Sequence, residues 1–519
     1  MSRTNILLCT TLLVLISLTS AVYDELYRPQ IHLSPPNGWM SDPNGLVYHD
    51  GVYHVFYQHN PVDTEPDKFP QMYWGHAIST DLVHWKNLGI ALSPPTGRSF
   101  FSGGGIIDHH NVTGFQIDDD KKPLILLFTS YNISTEEQEQ WIAYSNDAPE
   151  YNTFEYYKNN PVINQLNLEG EKSINFRDPQ IYEWETGQYV TFISQDNKSM
   201  IYNSRDMINW ELVSQFGEYE GKHGGIWECP SLFTLNVTIN GTMVEKEALL
   251  ITLTDFVIPA IQYFIGSFDG KTFKNENPPE TILWYDYGPD SFAGSTFNHV
   301  PSNRRIFLSW MSRWEYAMSV GLGPWNGNLG LPRELHLKQV GNDIRLASLP
   351  VYELKDLRTS QFRKKNVRIS SKYVSKIVED DGEDQHTVDI EMILDLSNLK
   401  KGDKFDIVFF DKQDRLNVTL KGNEFTLDRS RAGKTDFNKF GIPWKAPRFI
   451  DSPELKLRII IDRSSIEFFA DDGLTVMTAL FFSKEDIASK MAIHVHSSSL
   501  KSTVHLRELN AYKMKSIWN

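Results

Sequence analysis

Ser79-Thr-Asp-Leu-Val-His-Trp85 and Ser204-Arg-Asp-Met-Ile-Asn-Trp210 are nearly one phrase written twice. Shorter copies stand between and after them, Ser145-Asn-Asp147 and Ser267-Phe-Asp269, so the triplets recur at spacings of 66, 59 and 63. An aromatic residue follows each one: Trp85, Phe154, Trp210 and Phe273. Strand-like runs rich in Val, Ile, Phe, Tyr and Thr keep the same rhythm, at 52–58, 123–130, 189–195, 248–254 and 305–311. Five similar β units at this period predict a radial repeat, and four strands per unit would make a five-bladed β-propeller. The alternative is a large β-sandwich whose spacings coincide by chance. Helical periodicity is scarce throughout.

The pattern changes near residue 350. Val388/Ile390/Met392, Phe405/Ile407/Phe409 and Leu455/Leu457/Ile459 alternate at period two, as half-buried strands do. Asp471-Asp-Gly473 lies between two such runs and reads as a hairpin turn. Residues 378–385 are acidic and loop-like, and Arg363-Lys-Lys365 reads as a solvated basic face. The expected class is all-β: a signal peptide at 1–21, a five-bladed β-propeller carrying the catalytic site at 22–340, a linker at 341–355, and a β-sandwich at 356–519.

The chain is 519 residues long, enough for more than one domain and a large core. Arg3, the apolar run Ile6 to Leu18 and the small residues Thr19-Ser-Ala21 have the form of a secretory leader, too short for a membrane span. Past it, Cys229 is the one remaining cysteine, so no disulfide within the chain is expected and the core must hold the fold. Sequons at Asn111, Asn132, Asn197, Asn236, Asn240 and Asn417 fit a glycosylated secreted protein, extracellular, periplasmic or associated with a cell wall. The net charge of −15 is uneven: residues 351–519 carry 29 Lys+Arg against 26 Asp+Glu, leaving −18 on the first 350. So acidic a first part argues against nucleic acid and anionic polymers, and suits a neutral small-molecule partner; no membrane contact is expected.

Asp42 sits in Asn37-Gly-Trp-Met-Ser-Asp-Pro-Asn-Gly45, a turn-rich stretch that fixes a carboxylate beside Trp39. Asp178 (Phe176-Arg-Asp-Pro179), Glu228 (Trp227-Glu-Cys-Pro230) and Asp290 (Asp286-Tyr-Gly-Pro-Asp290) have similar settings in successive units. In a radial repeat, equivalent positions converge on one axis, and converging carboxylates are what glycoside hydrolysis uses: one attacks, another protonates the leaving oxygen. Donors are then expected around Asp42, to keep it ionised, and apolar or acidic neighbours around Glu228, to keep its proton. Other chemistries lack their signatures. The histidines at 49, 54, 59 and 76 have no metal-ligand spacing, there is no Gly-x-Ser-x-Gly elbow, and Gly103-Gly-Gly105 has no following Lys-Ser/Thr. No metal or cofactor is expected.

Together with Phe56-Tyr-Gln-His-Asn-Pro61, Trp74-Gly-His76, Phe101-Ser-Gly103, Trp314-Glu-Tyr316, Leu331-Pro-Arg-Glu-Leu335, Leu427-Asp-Arg-Ser430 and Asp462-Arg-Ser-Ser-Ile-Glu467, these motifs resemble glycoside hydrolase family 32, with its secreted yeast and fungal invertases and inulinases. The resemblance implies a five-bladed propeller backed by a β-sandwich, which can also mediate dimers. It further implies retaining cleavage of terminal β-D-fructofuranosides, such as sucrose, raffinose and fructans, through a fructosyl-enzyme, with transfructosylation as a second outcome. Asp42 would be the nucleophile, Glu228 the acid/base and Asp178 the transition-state stabiliser acting with Arg177. Trp39, Met40, Ser41, Gln58, Trp74, Phe101, Ser102, Arg177, Asp290 and Trp314 would form the sugar pocket. An exo-inulinase or fructosyltransferase is the near alternative, and a fructan-binding homologue without catalysis the far one. Three positions depart from the family pattern: Ser41 stands where Asn is usual, Ser291-Phe292 replaces an aromatic pair, and the glycine run 103–105 reads as unusually open.

Overall fold

The computed structural model describes residues 23–65, 71–165, 170, 172–254, 258–377, 387–499 and 501–518. The expected leader and the acidic stretch 378–385 lie outside the described residues. Within them the protein is all-β, and no helix is long and apolar enough to cross a membrane.

The described residues up to 350 form five sheets, each built of antiparallel strands that follow one another along the chain, with one further short strand joined to the first. Their first strands are Gly38–His49, Arg98–Ile107, Phe176–Glu185, Ile226–Ile239 and Phe292–Thr296. Each of these touches the next, and the fifth returns to the first, so they form a closed ring. Trp325–Asn326 reinforces the closure, pairing in parallel with Gly38 and Trp39. Asn298 ties the ring from within: its Nδ2 donates to the carbonyls of Gly105 (2.8 Å) and Ile181 (2.9 Å), and its backbone bridges Leu46 and Tyr48.

The Ser-x-Asp phrase makes the turn into the outermost strand of the first four sheets. The Asp81 carboxylate accepts from the Ser79 hydroxyl and from the backbone of Val83 and His84; Asp206 does the same with Ser204, Ile208 and Asn209. Asp269 accepts from Lys271 and Thr272. A short side chain that caps its own turn is worth repeating wherever the same turn is needed.

The glycine run 103–105, expected to be open, is tightly packed. A β-carbon at Gly103 would sit 2.2 Å from the Leu127 carbonyl oxygen, and one at Gly105 would sit 3.0 Å from the Gly45 oxygen. Glycine is needed because neighbouring strands meet there backbone to backbone. The expected linker 341–355 also differs: Asp343–Pro350 is the outermost strand of the fifth sheet, and a short 3-10 turn, Tyr352–Leu357, follows.

The described residues between 358 and 514 form two six-stranded sheets. The alternating residues named above all lie in the apolar core between them. Truncating one of these buried side chains to alanine would cost about 2–5 kcal/mol. The predicted hairpin turn joins Ser465–Ala470 to Thr475–Leu480. The outer face of that sheet carries Ile460, Phe469 and Val476 into one apolar cluster with Met40, Leu46, Leu308 and Leu329, so the two parts share a seam.

Candidate active site

All five first strands carry a register irregularity near their start: between Met40 and Pro43, Phe100 and Gly103, Arg177 and Gln180, Glu228 and Ser231, and Phe292 and Ser295. A bulge re-aims the side chains it contains. Here the bulges hold or border Asp42, Phe101-Ser102, Arg177-Asp178 and Glu228-Cys229 at one end of the ring. Asp178 (φ 65°) and Cys229 (φ 48°) are left-handed, which costs an L-residue roughly 1–2 kcal/mol each. Strain of this kind gathers where function needs a set geometry.

The bulged ends enclose a cavity of about 500 Å³ lined by Asp42, Asp178 and Glu228, with Ser41, Gln58, Phe101, Ser102, Arg177 and Trp314. Met72, Tyr131, Gln138 and Met318 complete the wall. These four were missed from the sequence because no local pattern marks them. Tyr131 stacks on Phe101 (4.9 Å between centroids), and Gln138 accepts the Phe176 N–H, bracing the strand that carries Arg177 and Asp178.

Three expected pocket residues stand behind the wall instead. Trp39 stacks on Trp314 (5.9 Å), Met40 joins the seam cluster, and the Trp74 indole donates to the Phe101 carbonyl (3.1 Å). They position lining residues and do not line the cavity. Asp290 is elsewhere altogether. It is buried at the seam, where it accepts from Arg429 (2.5 Å), Tyr316 and the Leu480 backbone. The five-residue arm from Asp286 resembles the other acidic settings in sequence, but its partner lies across the seam.

Arg177 is the cation on the cavity wall. It donates to Glu228 Oε1 (2.7 and 3.2 Å) and lies 3.9 Å from Asp178. Glu228 Oε2 accepts from Thr254 (2.7 Å). Asp178 accepts from the Cys229 N–H (3.1 Å) and lies 3.6 Å from its thiol. Asp42 accepts from Ser102 (2.8 Å), itself hydrogen-bonded to Gln58 at 3.4 Å, while Asp42 Oδ1 is out of solvent with no hydrogen-bond partner. The expected environments are therefore exchanged: donors surround Glu228, and Asp42 has few. Burial pushes the Asp42 carboxyl up to about 6, with Ser102 opposing and the charge of Glu228 adding. Burial likewise pushes Asp178 up to about 7 against the pull of Arg177, with Glu228 and Asp42 adding. Three acids around one guanidinium leave charge unmet, and a polyhydroxylated ligand could supply the missing donors.

Of the sequons, Asn111, Asn197, Asn236 and Asn240 are exposed; Asn132 and Asn417 are half-buried.

Residues 32–350 match the family model for the glycosyl hydrolases family 32 N-terminal domain, and residues 353–513 match that for the family 32 C terminal. The chain is 36% identical over 512 residues to a levanase of Bacillus subtilis, covering 96% of this chain and 72% of that protein. It is 32% identical to an extracellular exo-inulinase of Aspergillus awamori, covering 96% of each. The crystal structure of exo-inulinase from Aspergillus awamori superimposes with a TM-score of 0.84 at 29% identity, covering 96% of this chain and all of that one. A β-fructofuranosidase from Schwanniomyces occidentalis, complexed with fructosyl-erythritol, superimposes at 0.81 and 27% identity, covering 95% and 99%.

Proposed function

The chain belongs to glycoside hydrolase family 32, and we propose that it is a secreted, retaining β-fructofuranosidase that removes terminal fructose from sucrose and from fructans. The observation that carries this reading is the meeting of Asp42, Asp178 and Glu228 on one cavity around Arg177. Support for fructan as well as sucrose comes from the relatives, which are named levanase and exo-inulinase. In this reading the five ringed sheets are the blades of a propeller spanning the expected 22–340 and running on to Pro350, and the two six-stranded sheets are its sandwich.

Asp42 attacks the anomeric carbon of the terminal fructosyl unit. As that bond forms, the glycosidic bond breaks and Glu228 gives its proton to the departing oxygen. Glu228 then takes a proton from water, which attacks the fructosyl-Asp42 ester and frees fructose. Asp178 lies beside the carbon that becomes oxocarbenium-like, where a carboxylate stabilises positive charge. Arg177 holds Glu228 Oε1 at 2.7 Å, so this contact must loosen for that oxygen to reach the departing one. Sugar hydroxyls that accept from Arg177 and donate to Asp42 and Asp178 would loosen it, tying activation of the acid to occupancy of the pocket.

Release of fructose from sucrose and inulin by the secreted protein, abolished in Asp42→Asn and in Glu228→Gln, tests the assignment. Activity surviving both changes overturns it. Glycans on the exposed sequons and a homodimer through the sandwich belong to the same proposal, read by glycosidase treatment and by sedimentation.

A further inference from the structure

Phe176–Glu185, the strand that carries Asp178, is the innermost strand of its sheet and pairs on one side only, with Gln188–Gln195. Backbone groups on its free side, if buried without partners, would each cost about as much as a lost hydrogen bond. Near the site, side chains from the second sheet meet them. The Thr129 hydroxyl accepts from the Asp178 N–H (3.0 Å) and donates to Gln140 Oε1 (2.8 Å). The Gln140 amide donates in turn to the Phe176 carbonyl (2.9 Å), while Gln138 accepts from the Phe176 N–H (2.9 Å). We propose that Thr129 and Gln140 are positioning residues: by holding the peptide groups on either side of Arg177, they set the direction of the Asp178 carboxylate. Their role depends on the function proposed above for Asp178.

Three observations carry the assignment. First, the two side chains are themselves fixed. Thr129 and Gln140 are fully buried and stand directly opposite each other on the neighbouring strands Leu124–Asn132 and Gln138–Ser145. The Gln140 backbone is also tied to the chain at Val162 and Ile163: its N–H donates to the Ile163 carbonyl (3.0 Å) and its carbonyl accepts from Val162 (2.9 Å). Second, the backbone they hold is strained. Asp178 is left-handed (φ 65°), a conformation that persists in a non-glycine residue only where its surroundings impose it. Without that hold the residue can relax, and its carboxylate swings with the backbone. Third, the carboxylate end is held from a different sheet, by the Cys229 N–H at 3.1 Å. Asp178 is thus clamped at its amide by the second sheet and at its oxygen by the fourth, so the line between the two clamps aims the side chain. Neither Thr129 nor Gln140 is among the residues that line the cavity, so each acts through Asp178 and not on the sugar.

The test measures kcat and KM on sucrose with the full chain, per folded molecule as counted from melting curves. Thr129→Val, which removes both hydrogen bonds of the hydroxyl, and Gln140→Met should each lower kcat about 10- to 100-fold, the scale of a displacement of about 1 Å at a reacting group. KM should stay within about threefold, as it does when an interaction of the transition state is lost. Thr129→Ser restores the hydroxyl and should return kcat to within about threefold of the unaltered protein. Thr129→Cys, whose thiol is a weaker donor and acceptor, should lie between serine and valine and keeps the test open if the valine variant does not fold. An unchanged kcat in the folded Thr129→Val or Thr129→Cys protein, with only a lower melting temperature, reduces the pair to a structural brace and overturns the inference. A Thr129→Ser protein as slow as Thr129→Val overturns it too. In both cases an inactive Asp178→Asn protein leaves the catalytic reading intact. Full activity in Asp178→Asn overturns the role of Asp178, and this inference with it.

Discussion

Two sets of buried carboxylates, one in the cleft and one at the seam, are built from the same residue types and behave in opposite ways. In the cleft, Asp42, Asp178 and Glu228 share Arg177, and the first two are pushed up to about 6 and 7. At the seam, Glu467, Asp286 and Asp462 are met by two cations, Arg333 and His32. Glu467 accepts from Arg333 (2.9 Å) and the Leu331 backbone, and lies 3.1 Å from His32; Asp286 accepts from Arg333 and Thr478; Asp462 lies 2.7 Å from His32. Burial opposes ionisation of Glu467, but Arg333 and His32 outweigh it and hold the carboxyl down at about 2. Burial also opposes charge on His32, and its hydrogen bonds to Asp462 and Glu467 raise it to about 9. The lesson is one of stoichiometry. Buried charge that is more nearly matched fastens two parts together, whereas three acids on one cation leave charge for a ligand to meet.

The largest effect is expected at Asp42, the proposed nucleophile. Asp42→Asn should lower kcat on sucrose by at least about 10⁴-fold. It should leave the melting temperature unchanged or raised, because it removes one member of a like-charged group. A lower melting temperature would mean that the cleft is not under-compensated. At the seam the outcome should invert. Arg429→Met or Arg333→Met strands buried carboxylates and should cost about 3–5 kcal/mol in denaturant unfolding, while the folded fraction keeps its kcat on sucrose.

The pH dependence of stability separates the two regions further. For Asp42 and Asp178 the folded carboxyls hold their protons more tightly than the unfolded ones, so their contribution is complete below about pH 4 and fades as pH rises through about 6 and 7. For His32 the contribution is complete below about 6.5 and is lost as pH rises through about 9. For Glu467 it is present above about 4.5 and lost as pH falls toward 2. Melting curves should show the loss between pH 4 and 6 flattened in Asp42→Asn, and the loss between 6.5 and 9 flattened in His32→Gln. Activity should follow the cleft. The acid limb of kcat/KM should lie between about pH 6 and 7, since Asp42 and Asp178 must both be ionised, and Ser102→Ala should move the Asp42 part upward by removing the hydrogen bond that opposes the shift.

The smallest effect is expected at Ser41, which lines the cavity next to Asp42. Ser41→Asn should change the oligosaccharide yield in concentrated sucrose by about twofold, the scale of one altered hydrogen bond of ~0.5 kcal/mol. Equal yields would remove Ser41 from the account of acceptor choice.

Much of this molecule is local and therefore legible in order along the chain. Period-two alternation put Val388, Ile390 and Met392 in a core because a strand's faces alternate by geometry. The Ser-x-Asp phrase marked equivalent turns because its carboxylate bonds its own next residues. Asp42, Asp178 and Glu228 could be picked out because each sits at the same irregular point of a repeated unit. Asp290 looked the same by these signs, and only the folded chain sent it to Arg429, 139 residues away. The same holds for the close-packed glycines 103–105, for Trp39 and Trp74 standing behind the wall, and for Tyr131 and Gln138 standing in it. A residue's turn is set by its neighbours in sequence, but its charge partners and its burial are set by whichever strands the ring and the seam bring against it.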